Sequence, residues 1–542
     1  MPRREIFLAS QNPKQTIRFC DTNEVLEMRI NILIGGKAGQ GINKVSEIVS
    51  SVLVKQGYFT FNYRDYPSLI RGGHNFNVLS ASDNRVGSIE SKLDVIVALN
   101  EKTVELHKDE LKKDGVIVSF EEFKDLGRNL NIALSGALIK ILGIDKEILV
   151  EEVKKALKNS EEAVQAAEKG YESEESKFNL EKLDNKIKIM TGSRGVSQGA
   201  LDSGIDLYIA YPMTPATGVM HDLASNQVEN NLMVFQPENE IAVVNAGLGA
   251  SFVGAKTMVG TSGGGYDLMT EGLSLQGISE IPLVVYLASR PGPGTGVPTY
   301  STQCDLDVAL RGGHGEFPRI VIAPGDPIEC IENTNEAFYL SEKFGALSIV
   351  LSDKHLAESE FSSDRKPNKT IPVNVKRKTP GEGIVKASSY EHDEEGNTTE
   401  DAELAKKGAD NRIEKYNKIK EECKKFQMIK IYGNPKAKNL IIGWGSTKTV
   451  ILDALDAIDE SIKSGKGDYK FLQVLYMKPM SDEIQGEIDR ADKVILVENN
   501  STGQLGHYIR EKTGIKIENR LLYYDSRPIK SDLLKEEILN IK

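Results

Sequence analysis

Short apolar segments alternate along the chain with segments of helical periodicity, and this alternation limits the folds open to it. Ile30, Ile32 and Ile34 alternate within one short segment, which predicts a strand that ends at a glycine-rich loop. The apolar residues that follow have the spacing of one helix face: Val45, Ile48, Val49, Val52 and Leu53. Strands that alternate with helices are typical of α/β folds, so we expect a multidomain chain of mostly parallel sheets flanked by helices.

Similar apolar segments recur to the end of the chain. Residues 134–157 show helical periodicity, and the charged residues 159–188 indicate a helix that leads into a linker. Residues 358–430 are again charged, which favours a connector or insertion over a domain with its own core. The further predicted strands are 93–99, 115–120, 205–210, 256–259, 282–287, 319–323, 346–351, 439–444, 471–476 and 493–497.

These changes of pattern predict the domain boundaries. A chain of 542 residues is long enough for about three or four domains of ~100–200 residues. We expect a polar tail, a first α/β unit, a second α/β unit, the charged connector and a third α/β unit. Their predicted ranges are 1–27, 28–180, 181–357, 358–430 and 431–542.

Charge and cysteine content exclude several classes of function. The net charge of -11 and the lack of a basic face argue against nucleic acid as a partner. No apolar run approaches the ~18 residues of a membrane span, so we expect no membrane contact and a cytoplasmic location. The four cysteines are far apart and form no C-x-x-C pair, which argues against an iron–sulfur or zinc site of the chain's own. They are Cys20, Cys304, Cys330 and Cys423.

A glycine-rich loop, Gly35–Gly41, lies between the first predicted strand and the first predicted helix. Glycines at that place let backbone N–H groups approach an anion at the helix N-terminus. The spacing is not G-x-G-x-x-G, and no Walker lysine with Ser or Thr follows, so a structural turn is an equal alternative. A second glycine pair, in Arg71–His74, is either an anion site or a turn.

Two motifs in the second unit place polar side chains at the ends of predicted elements. In Tyr211–Thr217, which follows a strand, two prolines stiffen the turn that presents Thr214. Glu238 and Glu240 then open a helix of small residues. Such an acid either complements the helix dipole or faces a ligand.

Two further loops follow strands of the second unit. One is Thr261–Gly265, and the other is Arg290–Thr299, which holds three glycines and three prolines around a single arginine. The planar guanidinium of arginine suits recognition of a carboxylate or phosphate by two hydrogen bonds. A surface arginine in a proline-rich turn is the alternative.

In their order, these motifs resemble the 2-oxoacid:ferredoxin oxidoreductase family, in the form in which the gamma and alpha subunits are fused. The resemblance runs from Met28 to the C-terminus. It implies a gamma-type domain, a domain that binds the pyrimidine of thiamine diphosphate, and a transketolase C-terminal-like domain. The matching segments are Gly35–Gly41, Arg71–Gly73, Tyr211–Pro215, Glu240–Ala242, Thr261–Gly265, Arg290–Thr299, His314–Pro318, Glu391–Gly396 and Val497–Gln504.

The resemblance also implies roles for single residues. Glu240 matches the glutamate that hydrogen-bonds N1′ of thiamine diphosphate, since it has the family's spacing to Gly249 and Ala250, which Glu238 lacks. The other implied positions are Thr214, Arg290 and Thr299 for the substrate, Tyr211, Pro212 and Gly263 on the thiamine side, and Gly36, Gly39 and Gly41 for coenzyme A. Departures from the family pattern at Met213, Ala216 and Gly218 leave the substrate open.

A missing motif implies a partner chain. Thiamine enzymes hold Mg²⁺ and pyrophosphate through a G-D-G motif, and the chain contains none. In the resembling family, the beta subunit carries that half of the site and a [4Fe–4S] cluster. The resemblance therefore implies a beta subunit, ferredoxin as electron acceptor and a dimer of alpha–beta heterodimers, with no metal on this chain.

The implied reaction is the oxidative decarboxylation of a 2-oxoacid, such as pyruvate or 2-oxoglutarate. Coenzyme A would accept the acyl group, and CO₂ and reduced ferredoxin would be the other products. Three alternatives remain at this point: an arylpyruvate substrate of the indolepyruvate type, a non-catalytic assembly subunit, and an NAD-linked enzyme that uses the Gly35–Gly41 loop.

Overall fold

The computed structural model describes residues 28–68 and 73–541. The predicted tail at 1–27, Cys20, Arg71 and Gly72 lie outside the described residues. The described part contains three sheets of five to seven strands, with helices packed around them, and one two-stranded sheet. The predicted fold class is confirmed.

The first part of the chain forms five strands and five α-helices, with two 3₁₀ segments at Lys108–Glu110 and Phe120–Asn129. Residues 134–157 fall in two helices, because the first ends before Gly143, whose φ of +73° does not continue a helix. The elements are β1 Arg29–Gly36, α1 Ile42–Lys55, β2 Phe59–Asp65, β3 Asn75–Ser82, β4 Leu93–Ala98, α2 Glu101–His107, β5 Leu111–Ser119, α3 Leu130–Ile141, α4 Lys146–Ala156 and α5 Glu161–Glu172.

The second part of the chain alternates strands and helices regularly. Its elements are β6 Lys188–Thr191, α6 Gly192–Asp202, β7 Leu207–Ala210, α7 Thr217–Asn226, β8 Met233–Phe235, α8 Glu240–Phe252, β9 Thr257–Thr261, α9 Gly263–Ser279, β10 Leu283–Ser289, α10 Leu306–Arg311, β11 Arg319–Ile322, α11 Pro327–Phe344, β12 Leu347–Asp353 and α12 Lys354–Glu358.

The remaining residues form the connector and the third α/β unit. The connector carries one long helix. The elements are β13 Glu360–Ser363, β14 Glu391–His392, β15 Thr398–Thr399, α13 Ala402–Cys423, β16 Ile429–Gly433, β17 Asn439–Trp444, α14 Thr447–Asp459, α15 Ser461–Ser464, β18 Tyr469–Val474, β19 Tyr476–Lys478, α16 Glu483–Asp489, β20 Lys493–Glu498, α17 Gln504–Thr513, β21 Asn519–Leu522 and α18 Ser531–Asn540.

The second sheet has the order β19-β11-β12-β10-β9-β7-β8, and all of its pairings except β11 with β19 are parallel. The strands β7, β9 and β10 are therefore neighbours that point the same way. Their carboxyl ends meet at one edge of the sheet, where ligands of such folds bind. The loops that begin at Tyr211, Ser262 and Arg290 leave the sheet together at this edge.

The first and third sheets are built differently. The first has the order β5-β4-β1-β3-β2-β13-β6, in which β5-β4-β1 is parallel and the other pairings are antiparallel. The third has the order β16-β18-β17-β20-β21, with only the edge strand β16 antiparallel.

Strands are shared between the sheets. The strand β13 begins the predicted connector, yet it pairs with β2 and with β6 in the first sheet. The strand β19 follows the third sheet's β18 in sequence, yet it pairs with β11 of the second sheet. Buried apolar residues are likewise continuous from one unit to the next: one cluster includes Leu33, Tyr208 and Leu475, and another includes Val259 and Trp444. The domain boundaries stay a prediction. The units on either side of them share strands and buried apolar clusters.

Candidate active site

The segment Tyr211–Thr217 leaves β7 at the shared edge of the second sheet and leads into α7. The Nη1 of Arg290 donates a hydrogen bond to the backbone oxygen of Thr214, at 3.1 Å. Two loops that are 76 residues apart in sequence are therefore joined at this point. Because the guanidinium has five N–H donors and this contact uses one, the others are available for a ligand.

Glu240 is the first residue of α8, and Asn239 caps this helix by accepting a hydrogen bond from the backbone N–H of Ala242 at 2.9 Å. The Glu240 side chain is 3% exposed, and its Oε1 has no hydrogen-bond partner among the described residues. Glu238, the rival position, is exposed to solvent. A buried carboxylate oxygen without a partner is costly unless a ligand supplies a donor.

Glycines at the start of α9 give Glu240 its room. A methyl group added to Gly265 would collide with the hydroxyl group of Thr261 and would lie 2.6 Å from Glu240 Oε1, so an alanine would displace both side chains. At Gly263, the same addition would lie 2.5 Å from each carboxylate oxygen of Asp305. These glycines are required by the close approach of two carboxylates.

Asp305 is a member of the site that sequence reasoning missed. Its side chain is buried beside Gly263, and burial raises the pKa of its carboxyl group. Burial also lowers the pKa of Arg290, and the charges of Asp305 and Glu240 oppose that change. One cation thus lies between two carboxylates. No local pattern marks Asp305, because it follows a polar run and precedes a short helix.

The loop from Arg290 to Thr299 is held at its far end by the third unit. The Nε2 of Gln303 donates to the backbone oxygen of Trp444 at 2.7 Å, and the backbone N–H of Asn499 donates to Gln303 Oε1 at 2.9 Å. Thr299 is buried, and its Oγ1 has no hydrogen-bond partner among the described residues. The loop therefore presents an arginine at one end and a hydroxyl group without a partner at the other.

A cleft of about 930 Å³ lies between the first and second units. Gly39 and Gly41 line one wall, and Thr217, Gly218 and His221 of α7 line the opposite wall. Gly36, at the end of β1, does not line the cleft but contacts the turn behind it: a methyl group there would lie 2.8 Å from Gln40 Oε1. Of the three glycines predicted for coenzyme A, Gly39 and Gly41 therefore line the cleft and Gly36 does not.

The described ranges, 28–68 and 73–541, contain no group of three or more His, Cys, Asp or Glu side chains placed to hold a metal ion. The cysteines among them, Cys304, Cys330 and Cys423, are free. No helix in this part of the chain is long and apolar enough to cross a membrane.

Comparisons with known proteins identify the family of the chain. Residues 198–427 match the family model described as pyruvate flavodoxin/ferredoxin oxidoreductase, thiamine diphosphate-binding, and residues 31–173 match the model described as pyruvate ferredoxin/flavodoxin oxidoreductase. The alpha subunit of a Sulfolobus 2-oxoacid:ferredoxin oxidoreductase is 28% identical over 95% of this chain and 97% of its own length. The chain belongs to the 2-oxoacid:ferredoxin oxidoreductase family.

Another relative and one solved structure are also similar to this chain. The 2-oxoglutarate synthase subunit KorA of Methanocaldococcus jannaschii is 29% identical over 62% of this chain and 94% of its own length. A solved structure is similar over the whole fold: the 2-oxoglutarate:ferredoxin oxidoreductase from Magnetococcus marinus with 2-oxoglutarate, coenzyme A and succinyl-CoA bound. It has 26% identity and a TM-score of 0.83, and the match covers 94% of this chain and 99% of that one.

The site residues predicted from the resemblance to this family fall in two places. The structure brings Thr214, Glu240, Gly263 and Arg290 to one edge of the second sheet, where Tyr211 is 39% exposed. Gly39 and Gly41 lie in the cleft instead. The predicted roles of all these residues stay predictions.

Proposed function

We propose that this chain is the alpha subunit of a complex that oxidatively decarboxylates a 2-oxoacid and transfers the acyl group to coenzyme A. Ferredoxin receives the electrons, and 2-oxoglutarate and pyruvate are the first substrates to test. The observation that supports this most is the buried, unpartnered Oε1 of Glu240, beside Arg290, at the edge where three loops meet.

The residues present fit thiamine diphosphate. When bound, that cofactor supplies the carbon nucleophile and accepts electrons from the reacting carbon. Glu240 would hold N1′ of the aminopyrimidine through Oε1, and the absence of a side chain at Gly265 would leave room for the Glu240 carboxylate in that position. Because the carboxylate is buried, water would not compete for this hydrogen bond, and Glu240 would hold a proton at N1′. Tyr211 and Pro212 would lie along the same edge.

The substrate carboxylate would bind to Arg290. Its guanidinium is held by the backbone oxygen of Thr214, so its orientation is fixed before the substrate arrives. Thr214 itself and the unpartnered hydroxyl group of Thr299 would provide the polar contacts around the oxo group.

Coenzyme A would occupy the cleft between the two units. The volume of about 930 Å³ is at the upper end of small-molecule sites. Its walls include the N-terminus of α1 and the side chains of Arg64 and Arg194, which suit the phosphate groups of coenzyme A.

The partners follow from what the chain lacks. A beta subunit would bring Mg²⁺, the pyrophosphate site and the [4Fe–4S] cluster, and two alpha–beta pairs would form the complex. Apolar side chains are exposed near the site on β8 and α8, at Met233, Phe235 and Ile241, where a subunit would cover them.

Replacing Glu240 tests the proposal most directly. We expect Glu240→Gln to lower 2-oxoacid-dependent viologen reduction by the reconstituted alpha–beta complex about 100-fold or more, the size typical of losing one proton-handling group. Glu238→Gln is the matched control, since it removes an exposed acid two residues away. If the two variants are equally active, this chain does not activate the cofactor.

The same complex separates the remaining alternatives. Higher kcat/KM for indolepyruvate than for 2-oxoglutarate or pyruvate would assign the arylpyruvate activity. Full decarboxylation by a beta subunit without this chain would make it an assembly subunit. Binding of NADH by the isolated chain would favour the NAD-linked enzyme, and we expect none.

A further inference from the structure

Asp65 lies between the cleft and the loop that carries Arg290. We infer that Asp65, through Tyr300, couples occupancy of the cleft to the position of the Arg290–Thr299 loop, and so makes 2-oxoacid binding depend on coenzyme A. The inference rests on the proposed function for the identity of the ligand. It makes Tyr300, which does not line the cleft, a positioning residue that acts through Asp65 in the cleft wall.

Two tyrosines donate hydrogen bonds to the Asp65 carboxylate. The hydroxyl group of Tyr300 donates to Oδ1 at 3.1 Å, and that of Tyr63 donates to Oδ2 at 3.2 Å. Asp65 is 6% exposed and Tyr300 is 8% exposed, so water does not replace these contacts. Hydrogen bonds to a charged acceptor are about twice as strong as neutral ones. The hydrogen bond from Tyr300 to Asp65 therefore firmly joins two residues of different units that are 235 positions apart in sequence.

One end of the link lies in the wall of the cleft. Arg64, Asp65 and Tyr66 all line it, together with Glu358. Tyr66 donates to Glu358 Oε2 at 2.8 Å, and the buried ammonium group of Lys354 donates to the backbone oxygen of Arg64. The end of β2 is therefore held as one piece. A ligand that displaces Arg64 or Tyr66 moves Asp65 with them.

The other end of the link reaches the arginine loop. Tyr300 directly follows Thr299, and its backbone N–H donates to the backbone oxygen of Val297 at 3.1 Å. The guanidinium of Arg527 lies 3.8 Å from the centre of the Tyr300 ring and covers it. The loop is thus fixed at Arg290 by Thr214 and at Tyr300 by Asp65. A shift of Asp65 changes where Thr299 stands relative to Arg290.

Hydrogen exchange of the alpha–beta complex tests the coupling. The probe is dethio-coenzyme A, which lacks the thiol and so binds without accepting an acyl group. In the wild type we expect it to slow exchange of peptides that cover residues 290–303. In Tyr300→Phe the probe still binds but changes exchange in that segment much less, because the direct hydrogen bond to Asp65 is gone and only the indirect contact through Arg527 remains. In Asp65→Asn we expect a partial loss of the effect of the probe on residues 290–303.

Tyr63→Phe is the matched control. It removes the other hydrogen bond to the same carboxylate but does not touch the loop, so the effect of the probe on residues 290–303 is retained. Activity provides a second readout. We expect Tyr300→Phe to raise the 2-oxoacid KM about tenfold at saturating coenzyme A, with a smaller change in kcat, as for the loss of one hydrogen bond to a charged group.

The outcomes are distinct. Equal protection of residues 290–303 in the wild type and in Tyr300→Phe overturns the coupling, and so does bound probe without any protection in the wild type. If dethio-coenzyme A does not bind the wild-type complex, the assignment of coenzyme A to the cleft fails, and the coupling fails with it. A general rise in exchange in Tyr300→Phe that leaves the slowing by the probe intact would reduce Tyr300 to a purely structural role.

Discussion

Two glycine-rich loops that look alike in sequence need their glycines for different reasons. In Gly35–Gly41, the residues Gly39 and Gly41 have φ values of +87° and +86°, so the backbone itself demands glycine. In Thr261–Gly265, no glycine has such a φ, but a methyl group added to Gly263 would meet Asp305, and one added to Gly265 would meet Thr261 and Glu240. The first loop is shaped by its turn, and the second is shaped by the carboxylates next to it. A substitution should therefore lower mainly stability at the first loop, and both activity and stability at the second.

The largest expected effect is on activity, at the second loop. Gly265→Ala places a methyl group against Glu240, and a catalytic group moved by about 1 Å can cost about 100-fold in rate. We expect such a loss of viologen reduction together with a lower melting temperature, because the methyl group also collides with the buried hydroxyl group of Thr261. Gly264→Ala is the matched control, because its methyl group meets no atom closer than 3.8 Å. Equal activity of the two variants would show that Glu240 is not held by this packing.

The next effect is on stability, at the first loop. Gly41→Ala combines a positive φ with a collision against the Asn131 side chain, so we expect the free energy of unfolding to fall by about 2 kcal/mol. Gly39→Ala shares the positive φ but meets open space, and about 1 kcal/mol is expected there. Chemical denaturation followed by circular dichroism measures both. Adding Asn131→Ala should recover part of the loss in Gly41→Ala and leave Gly39→Ala unchanged.

The smallest expected effect is on the pH dependence of stability. His74 lies next to Gly35, with its Nε2 2.9 Å from that of His107, and burial together with His107 lowers its pKa to about 4. The stability due to neutral His74 is present above pH 6.5 and is lost as the pH falls through about 4. His74→Gln should therefore shift acid unfolding to lower pH. The contribution of Asp305 to stability depends on pH in the opposite direction. Because its pKa is raised, its side chain stabilises the fold at low pH and destabilises it at neutral pH, where it is charged. An acid-unfolding midpoint that does not move in His74→Gln would contradict this comparison.

Local patterns predicted most elements near the site but not the long-range pairings. The strands β7, β9 and β10 and their loops follow from apolar runs that end in glycine or proline. The strand β2 was not predicted, although its aromatic residues alternate at Phe59, Phe61 and Tyr63. Its partner β13 lies about 300 residues further along, and sequence patterns carry no sign of such a pairing. The short β13 also lies at the start of a charged segment.

The residues of the candidate site also divide into those that local patterns predicted and those that they did not. Glu240 and Arg290 are predicted because they occupy motif positions whose order the resemblance recognises. Asp305 and Asp65 are not, because their roles arise only from contacts across the fold, with Gly263 and with Tyr300. An aspartate in a polar stretch has the same local appearance whether it faces solvent or supports a loop.

The shared strands have a consequence for the order in which the protein can be made. The strand β2 remains an open edge until β13 has been synthesised, 281 residues after β3 ends at Ser82. At ~5–20 residues per second, translation takes about 14–56 s to reach Ser363. During that time the newly made first sheet presents unpaired backbone groups beside aromatic side chains, and such an edge readily pairs with another chain. We therefore expect the yield of folded protein to depend on how this edge is protected on the ribosome.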